Sequence, residues 1–143
     1  MPCKFQILAE NYAYKTQHAE WGFSVFIDFN GTQLLFDTGQ SGDCVLKNAK
    51  FLNVPLENIE AIILSHGHYD HTGGLNKILK AIGNKKIFAH KEVFTKRFSQ
   101  ESASNQVRQD ICVSFRESRD RNNSGWGGVL IVFRYWNRYR GRD

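Results

Sequence analysis

Ile62-Ile63-Leu64-Ser65-His66-Gly67-His68-Tyr69-Asp70-His71-Thr72-Gly73-Gly74-Leu75 decides how this chain is read. An apolar run ends abruptly in three histidines and an aspartate, in the pattern H-x-H-x-D-H, where a strand should give way to a helix. The apolar run can bury itself. The donors cannot, so they must face a cavity, water or a metal. His66 and His68 lie two apart in extended chain and therefore point the same way. Gly67 between them lets the backbone come close to whatever they hold. The chain then turns, and Asp70 and His71 enter from a second direction. Two pairs of donors approaching from two directions suit two adjacent metal ions better than one. The plain alternative is an exposed polar turn that happens to be rich in histidine. Against it, the chain has 5 histidines and most of them fall here. Histidine with carboxylate suits zinc first, with iron or manganese as alternatives. The imidazoles must be neutral to bind, as expected near pH 7.

Upstream, Cys3 to Ala9 alternates loosely and predicts a strand, and Glu10 to Ala19 a polar loop. Phe23 to Phe29 alternates and is rich in β-formers. Asn30-Gly31 is a strong two-residue hairpin signal, and Gln33 to Phe36 returns, so residues 21–36 read as a β-hairpin. Asp37-Thr38-Gly39 follows at the strand end. That triplet is also the local signature of aspartic proteases, whose chemistry needs two such aspartates face to face. This chain would have to dimerise to supply them, and the histidine cluster would go unexplained. Val45, Leu46, Ala49 and Leu52 recur at helical spacing and predict an amphipathic helix over 42–52, broken by Val54-Pro55. Glu60 to Leu64 is a short apolar run of buried-strand type. It delivers the histidine loop at its C-terminal end, where open α/β sheets usually place their ligands. Leu75, Ile78, Leu79 and Ile82 form one face of a helix over 72–82, with Asp70 near its favourable N-terminal end. Lys85 to Ala89 predicts a further strand closed by His90. His90 could face the cavity, but a lone histidine there is more often a capped surface residue. Lys91 to Phe98 reads as a short basic helix.

The stretch from His66 to His71 resembles the signature of the metallo-β-lactamase fold superfamily of metal-dependent hydrolases. Phe36-Asp37-Thr38-Gly39-Gln40-Ser41-Gly42 and Ser65-His66-Gly67-His68-Tyr69-Asp70-His71-Thr72-Gly73-Gly74-Leu75 are similar to one subgroup in particular. It is the subgroup related to the dihydropterin-ribofuranosyl-aminobenzene-phosphate synthase of methanopterin biosynthesis. The resemblance covers roughly residues 1–100. It implies an α/β fold equivalent to the N-terminal half of an αββα sandwich. It also implies hydrolysis by metal-activated water, with His66 and His68 on a first ion and Asp70 and His71 on a second. Asp70 would ligate and also help orient the water, and Asp37 would lie beneath the loop and orient it. The family pattern further brings a histidine, a bridging aspartate and a last histidine from downstream sequence. This chain has no histidine after His90. Each ion would then hold about two protein ligands where a catalytic zinc usually has three. Weak metal affinity and weak or absent activity are expected, with a non-catalytic metal-binding remnant as the alternative. Half a sandwich would also expose a sheet face, which invites self-association.

At 143 residues, 41% hydrophobic and 23% charged, the chain fits one domain with a real core. Cys3, Cys44 and Cys112 are scattered and odd in number, which reads as reduced thiols in a cytoplasm rather than a disulfide framework. The N-terminus lacks a signal-peptide stretch, and no apolar run approaches ~18 residues, so no membrane partner is expected. The net charge of +5 hides a break in composition. Every lysine lies in residues 1–100, with Arg97 the one arginine there, whereas 101–143 hold arginines and no lysine. Residues 1–100 therefore read as a half-domain and 101–143 as an atypical tail. Within it, Trp126 to Phe133 reads as one strand. Three accounts of the tail compete. Its arginines, interleaved with Tyr135, Trp136 and Tyr139, could bind nucleic acid by phosphate pairing and stacking. It could be a poorly ordered end without a role. Or it could be out-of-frame translation, since a frame shift in lysine- and glutamate-rich coding DNA generates arginine codons. The small-molecule substrate cannot be read from these residues.

Overall fold

Ala61–Leu64 forms a buried strand at the middle of a six-stranded mixed sheet whose spatial order follows the chain. In this computed structural model residues 3–13, 17–94 and 130–131 are described. The strands are β1 (Cys3–Ala9), β2 (Ser24–Phe29), β3 (Thr32–Phe36), β4 (Ala61–Leu64), β5 (Lys86–Ala89) and β6 (Leu130–Ile131). The first three pair antiparallel, β3, β4 and β5 pair parallel, and β6 returns antiparallel on β5. Each parallel step needs a crossover. Helix α1 (Asp43–Phe51) supplies the first, and α2 (Tyr69–Thr72) with α3 (Leu75–Ile82) the second. The result is the expected α/β architecture.

The hairpin turn has Asn30 at φ 52° and Gly31 at φ 88°, two successive left-handed residues as a type I′ turn requires. Register then builds the core. Phe26 faces Leu35, Leu35 faces Ile62, and Ile62 faces Ile87, so one buried apolar row runs across four strands. Cys44, Val45 and Ala49 of α1 and Leu75, Ile78 and Leu79 of α3 pack on it. Each large side chain in that row contributes about 1.5–3 kcal/mol by leaving water. The alternate residues point to the other face. There Phe5, Ile7, Phe29 and Phe88 stay largely exposed and Ile27, Leu34, Phe36 and Ile63 are half-buried.

Two expected elements differ. The single helix over 72–82 is two pieces, a short turn ending at Thr72 and a helix starting at Leu75, parted at Gly73-Gly74. There the Gly74 N–H goes to the Gly39 carbonyl in the loop after β3 and the Asp70 carbonyl to the Phe23 N–H, so the helical ladder is interrupted. Instead of a helix from Lys91 there is a 3-10 turn over Lys91–Phe94. The rest of that expected helix, Cys112, and the 101–143 tail apart from Leu130–Ile131 lie outside the described residues. Among the described residues no helix is long and apolar enough to cross a membrane.

Asn48 ties α1 to the polar loop after β1. Its amide donates to the carbonyls of Leu8 (2.8 Å) and His18 (2.8 Å), and its oxygen accepts the His18 N–H (2.8 Å). Beside it, burial and then the Glu20 charge push the Cys44 thiol up to about 11, and the thiol donates to the His18 carbonyl at 3.0 Å. Cys3 is exposed. At pH 8, alkylation of Cys44 should therefore run about a hundredfold or more slower than that of Cys3. Peptide mapping after a timed iodoacetamide pulse checks this, and equal labelling of the two would refute the buried thiol.

Candidate metal centre

Three chain segments meet at the C-terminal ends of β3 and β4. The first is the turn after β3. Asp37 is fully buried and left-handed at φ 57°, a conformation aspartate tolerates better than most residues. Its N–H continues the parallel ladder to the Ile63 carbonyl at 2.8 Å. Thr38 donates both its N–H (2.8 Å) and its hydroxyl (2.9 Å) to the His71 carbonyl, so the two loops are stitched backbone to backbone.

The second segment is the histidine loop itself. The Asp37 carboxylate accepts the Ser65 N–H at 2.8 Å, the Ser65 hydroxyl at 2.6 Å and His71 Nδ1–H at 2.8 Å. Three donors occupy most of the roughly four acceptor positions of this buried carboxylate. Because a carboxylate only accepts, His71 must carry its proton on Nδ1. Its Nε2 is left free and lies 3.6 Å from Asp70 Oδ2. His66 Nδ1 is 2.8 Å from the Ser65 hydroxyl, and its Nε2 is 3.0 Å from His68 Nδ1. The His66 ring lies 4.6 Å from that of His68 and 4.2 Å from that of His71, centroid to centroid. Burial, then the neighbouring His71 and His68, hold the His66 imidazole below its ordinary value. The neutral form that a metal needs is thereby favoured. Asp37, His66 and His71 can each offer a ligand atom within 4.8 Å of the others.

The third segment runs from Glu10 to Phe23. Phe23 N–H donates to the Asp70 carbonyl at 3.4 Å, and Gly22 N–H to Asn11 Oδ1 at 2.9 Å. The Glu20 carboxylate reaches the Gln40 N–H at 3.1 Å and the Ser41 hydroxyl at 2.5 Å, so it holds the turn after Asp37 from the outside. A cavity of about 330 Å³ opens between this segment and Asp70 and His71, with Glu10, Asn11, Trp21, Gly22 and Phe23 as its other walls.

The structure therefore brings His66, His68, Asp70 and His71 together above Asp37. His90 stands apart. It is exposed at the end of β5, where its Nδ1 accepts the Glu92 N–H at 3.4 Å and caps the following turn. Gly67 also lies against the chain's own backbone: a Cβ there would lie 2.2 Å from the Val93 carbonyl oxygen. Ser65 and Glu20 carried no assigned role in the sequence. A hydroxyl closing an apolar strand was a usable signal for Ser65. Glu20 gives none, since its partners lie some twenty residues on.

The donor chemistry fits a divalent ion. His66 Nε2 and His71 Nε2 are the atoms left once their other nitrogens are engaged, and each has another metal-type donor beside it, His68 Nδ1 at 3.0 Å and Asp70 Oδ2 at 3.6 Å. Zinc, iron and manganese all accept such nitrogen and carboxylate sets.

Comparison with known proteins agrees with this geometry. The family model described as the metallo-beta-lactamase superfamily matches residues 22–126. An uncharacterized protein of Methanocaldococcus jannaschii, MJ0448, is 39% identical over 95 residues, which is 66% of this chain and 37% of that protein. The 7,8-dihydropterin-6-methyl-4-(beta-D-ribofuranosyl)-aminobenzene-5'-phosphate synthase of the same organism is 41% identical over 106 residues, 68% of this chain and 36% of the synthase. Among solved structures, Tm1679, described as a metal-dependent hydrolase of the beta-lactamase superfamily, superposes with a TM-score of 0.50 at 36% identity. That superposition covers 62% of this chain and 30% of Tm1679. The chain thus spans little more than a third of the length of the curated relatives it matches.

Proposed function

This chain belongs to the metallo-beta-lactamase superfamily, and from that membership we propose that it carries the metal-binding core of a metal-dependent hydrolase. His66 and His68 hold one divalent ion, Asp70 and His71 a second, and zinc is the first choice. The observation that carries this reading is the pairing of leftover donor atoms. His66 Nε2 faces His68 Nδ1 at 3.0 Å, and His71 Nε2 faces Asp70 Oδ2 at 3.6 Å. In the metal-free chain the His66–His68 contact is a hydrogen bond, and a divalent ion between the two nitrogens would replace its proton. Asp37 spends most of its acceptor positions on three donors of the chain, so its part is to hold His71 and the loop.

A divalent ion bound there supplies positive charge that lowers the pKa of water and polarises a scissile bond. The chain's own residues do the rest. Asp37 fixes His71 so that Nε2 faces the site. Asp70 lines the cavity beside His71, and its part is to accept a hydrogen bond from water there and aim it at the substrate. The cavity beside Asp70 and His71 gives a small molecule room to lie against the centre. One of the relatives named above is a synthase of a pterin compound, and the bonds to test on this chain are phosphoester, thioester and lactam.

The test is metal content with turnover. Zinc-loaded and dialysed protein should retain about one to two ions per chain. A His66→Ala/His68→Ala variant should lose about half of that or more. Metal content and turnover on phosphoester, thioester and lactam panels that are unchanged in the double variant would refute the reading. Retained metal with no turnover on any panel would leave metal binding standing and remove the hydrolase.

A further inference from the structure

We propose that Ser65 is a positioning residue that sets the tautomer of His66 and so decides which nitrogen of that ring is offered to a metal. The inference rests on the metal-binding reading above, but its first test does not need a metal.

Proton accounting carries the argument. Ser65 Oγ has one proton and lies 2.6 Å from Asp37 Oδ2 and 2.8 Å from His66 Nδ1. Asp37 as a carboxylate has no proton to give. If the hydroxyl donated to His66, its lone pairs would face the carboxylate oxygen at 2.6 Å with nothing between them. The hydroxyl proton must therefore go to Asp37. The lone pairs of Oγ then turn toward His66, and the only proton left for that contact is one on His66 Nδ1. His66 is thus the Nδ1–H tautomer, and its Nε2 lone pair is directed at His68 Nδ1.

Asp37 consequently governs two histidines by two routes. It accepts from His71 directly and reaches His66 through one hydroxyl. Both rings end with the proton on Nδ1 and the lone pair on Nε2. Partners of this kind around a metal-binding histidine typically change affinity by about 10–100-fold when removed. Ser65 is itself exposed at the loop, so a threonine there retains the hydroxyl and has room for its methyl group.

The experiment is imidazole nitrogen NMR on the metal-free 143-residue chain, followed by zinc competition titration. In the unsubstituted protein His66 should show its proton on Nδ1. Ser65→Thr should keep that signature, and Ser65→Ala should lose it. Zinc affinity should fall about 10–100-fold in Ser65→Ala and stay within about threefold in Ser65→Thr. A His66 proton on Nε2 in the unsubstituted protein overturns the inference without any variant. So does a Ser65→Ala protein that keeps both the tautomer and the affinity. Failure of the metal-binding reading looks different, because zinc uptake would then ignore His66→Ala/His68→Ala while the tautomer result could still stand.

Discussion

Asp37→Ala should lower the stability of the chain by about 3–5 kcal/mol and remove high-affinity zinc uptake at the same time. The estimate starts from the donors the carboxylate satisfies. The Ser65 N–H, the Ser65 hydroxyl and His71 Nδ1–H all end on it, and its side chain is 1% exposed. Alanine leaves these donors facing a small void. Each buried unsatisfied donor costs about 1–3 kcal/mol, and water entering from the cavity side returns part of that. Alanine at a left-handed φ of 57° adds roughly 1 kcal/mol. Against a total stability of about 5–15 kcal/mol this is a large fraction. Asp37→Asn separates the two effects. Asparagine tolerates the same backbone conformation, but its amide group accepts through one oxygen only. It should recover much of the stability while zinc affinity remains about 10–100-fold down, because His71 loses a charged partner. Urea denaturation and zinc competition on the two variants check this. An Asp37→Ala protein that unfolds at the wild-type midpoint would show that the buried carboxylate does not hold the loops.

What could be read from the sequence depended on how local each signal was. Asn30-Gly31 specifies its own turn, and the strands on either side follow with period 2. H-x-H-x-D-H lies within one loop, so its donors are neighbours whatever the rest of the chain does. Ala61 to Leu64 carries no polar residue and reads as a buried strand within that short window. The features that escaped reading join distant segments. Glu20 on Gln40 and Ser41, Asn48 on Leu8 and His18, and Gly67 under Val93 are each set by the packing of loops that no short window contains. Gly67 illustrates what a local reading leaves out. A glycine between two histidines suggests ligand approach, and the packing adds a second demand from the backbone of the turn after β5. The helix break at Gly73-Gly74 has the same origin. Leucine and isoleucine spacing favours helix through 72–82, and the contact that interrupts it comes from the turn after β3.

Gly74→Ala turns that contact into the second large prediction. Gly74 has φ −75°, so its backbone conformation is open to any residue and the requirement is purely steric. A Cβ would sit 2.1 Å from the Thr38 carbonyl oxygen and 2.7 Å from both the Cα and the nitrogen of Gly42. All three are backbone atoms, so no side chain can rotate away. The loops must separate by about an ångström, at a cost at or above the roughly 1–3 kcal/mol usual for overpacking. Those same loops carry the Gly74 N–H to the Gly39 carbonyl at 3.0 Å and both Thr38 bonds to His71. Prying them apart therefore moves Asp37 away from His71, and zinc affinity should fall together with stability. Gly83→Ala is the matched control. Gly83 has φ +84° and ψ 177° with nothing within 4 Å of a Cβ, so alanine should cost about 1–3 kcal/mol of backbone strain and no zinc affinity. Thermal melts with and without zinc distinguish the cases. Zinc should raise the melting temperature of the wild-type and Gly83→Ala proteins and leave Gly74→Ala nearly unmoved, since a ligand stabilises only a fold that can bind it. A Gly74→Ala protein with a normal melting temperature and a normal zinc shift would mean that the two loops can part without disturbing the centre, and that their glycine-on-glycine crossing is not what holds Asp37 against His71.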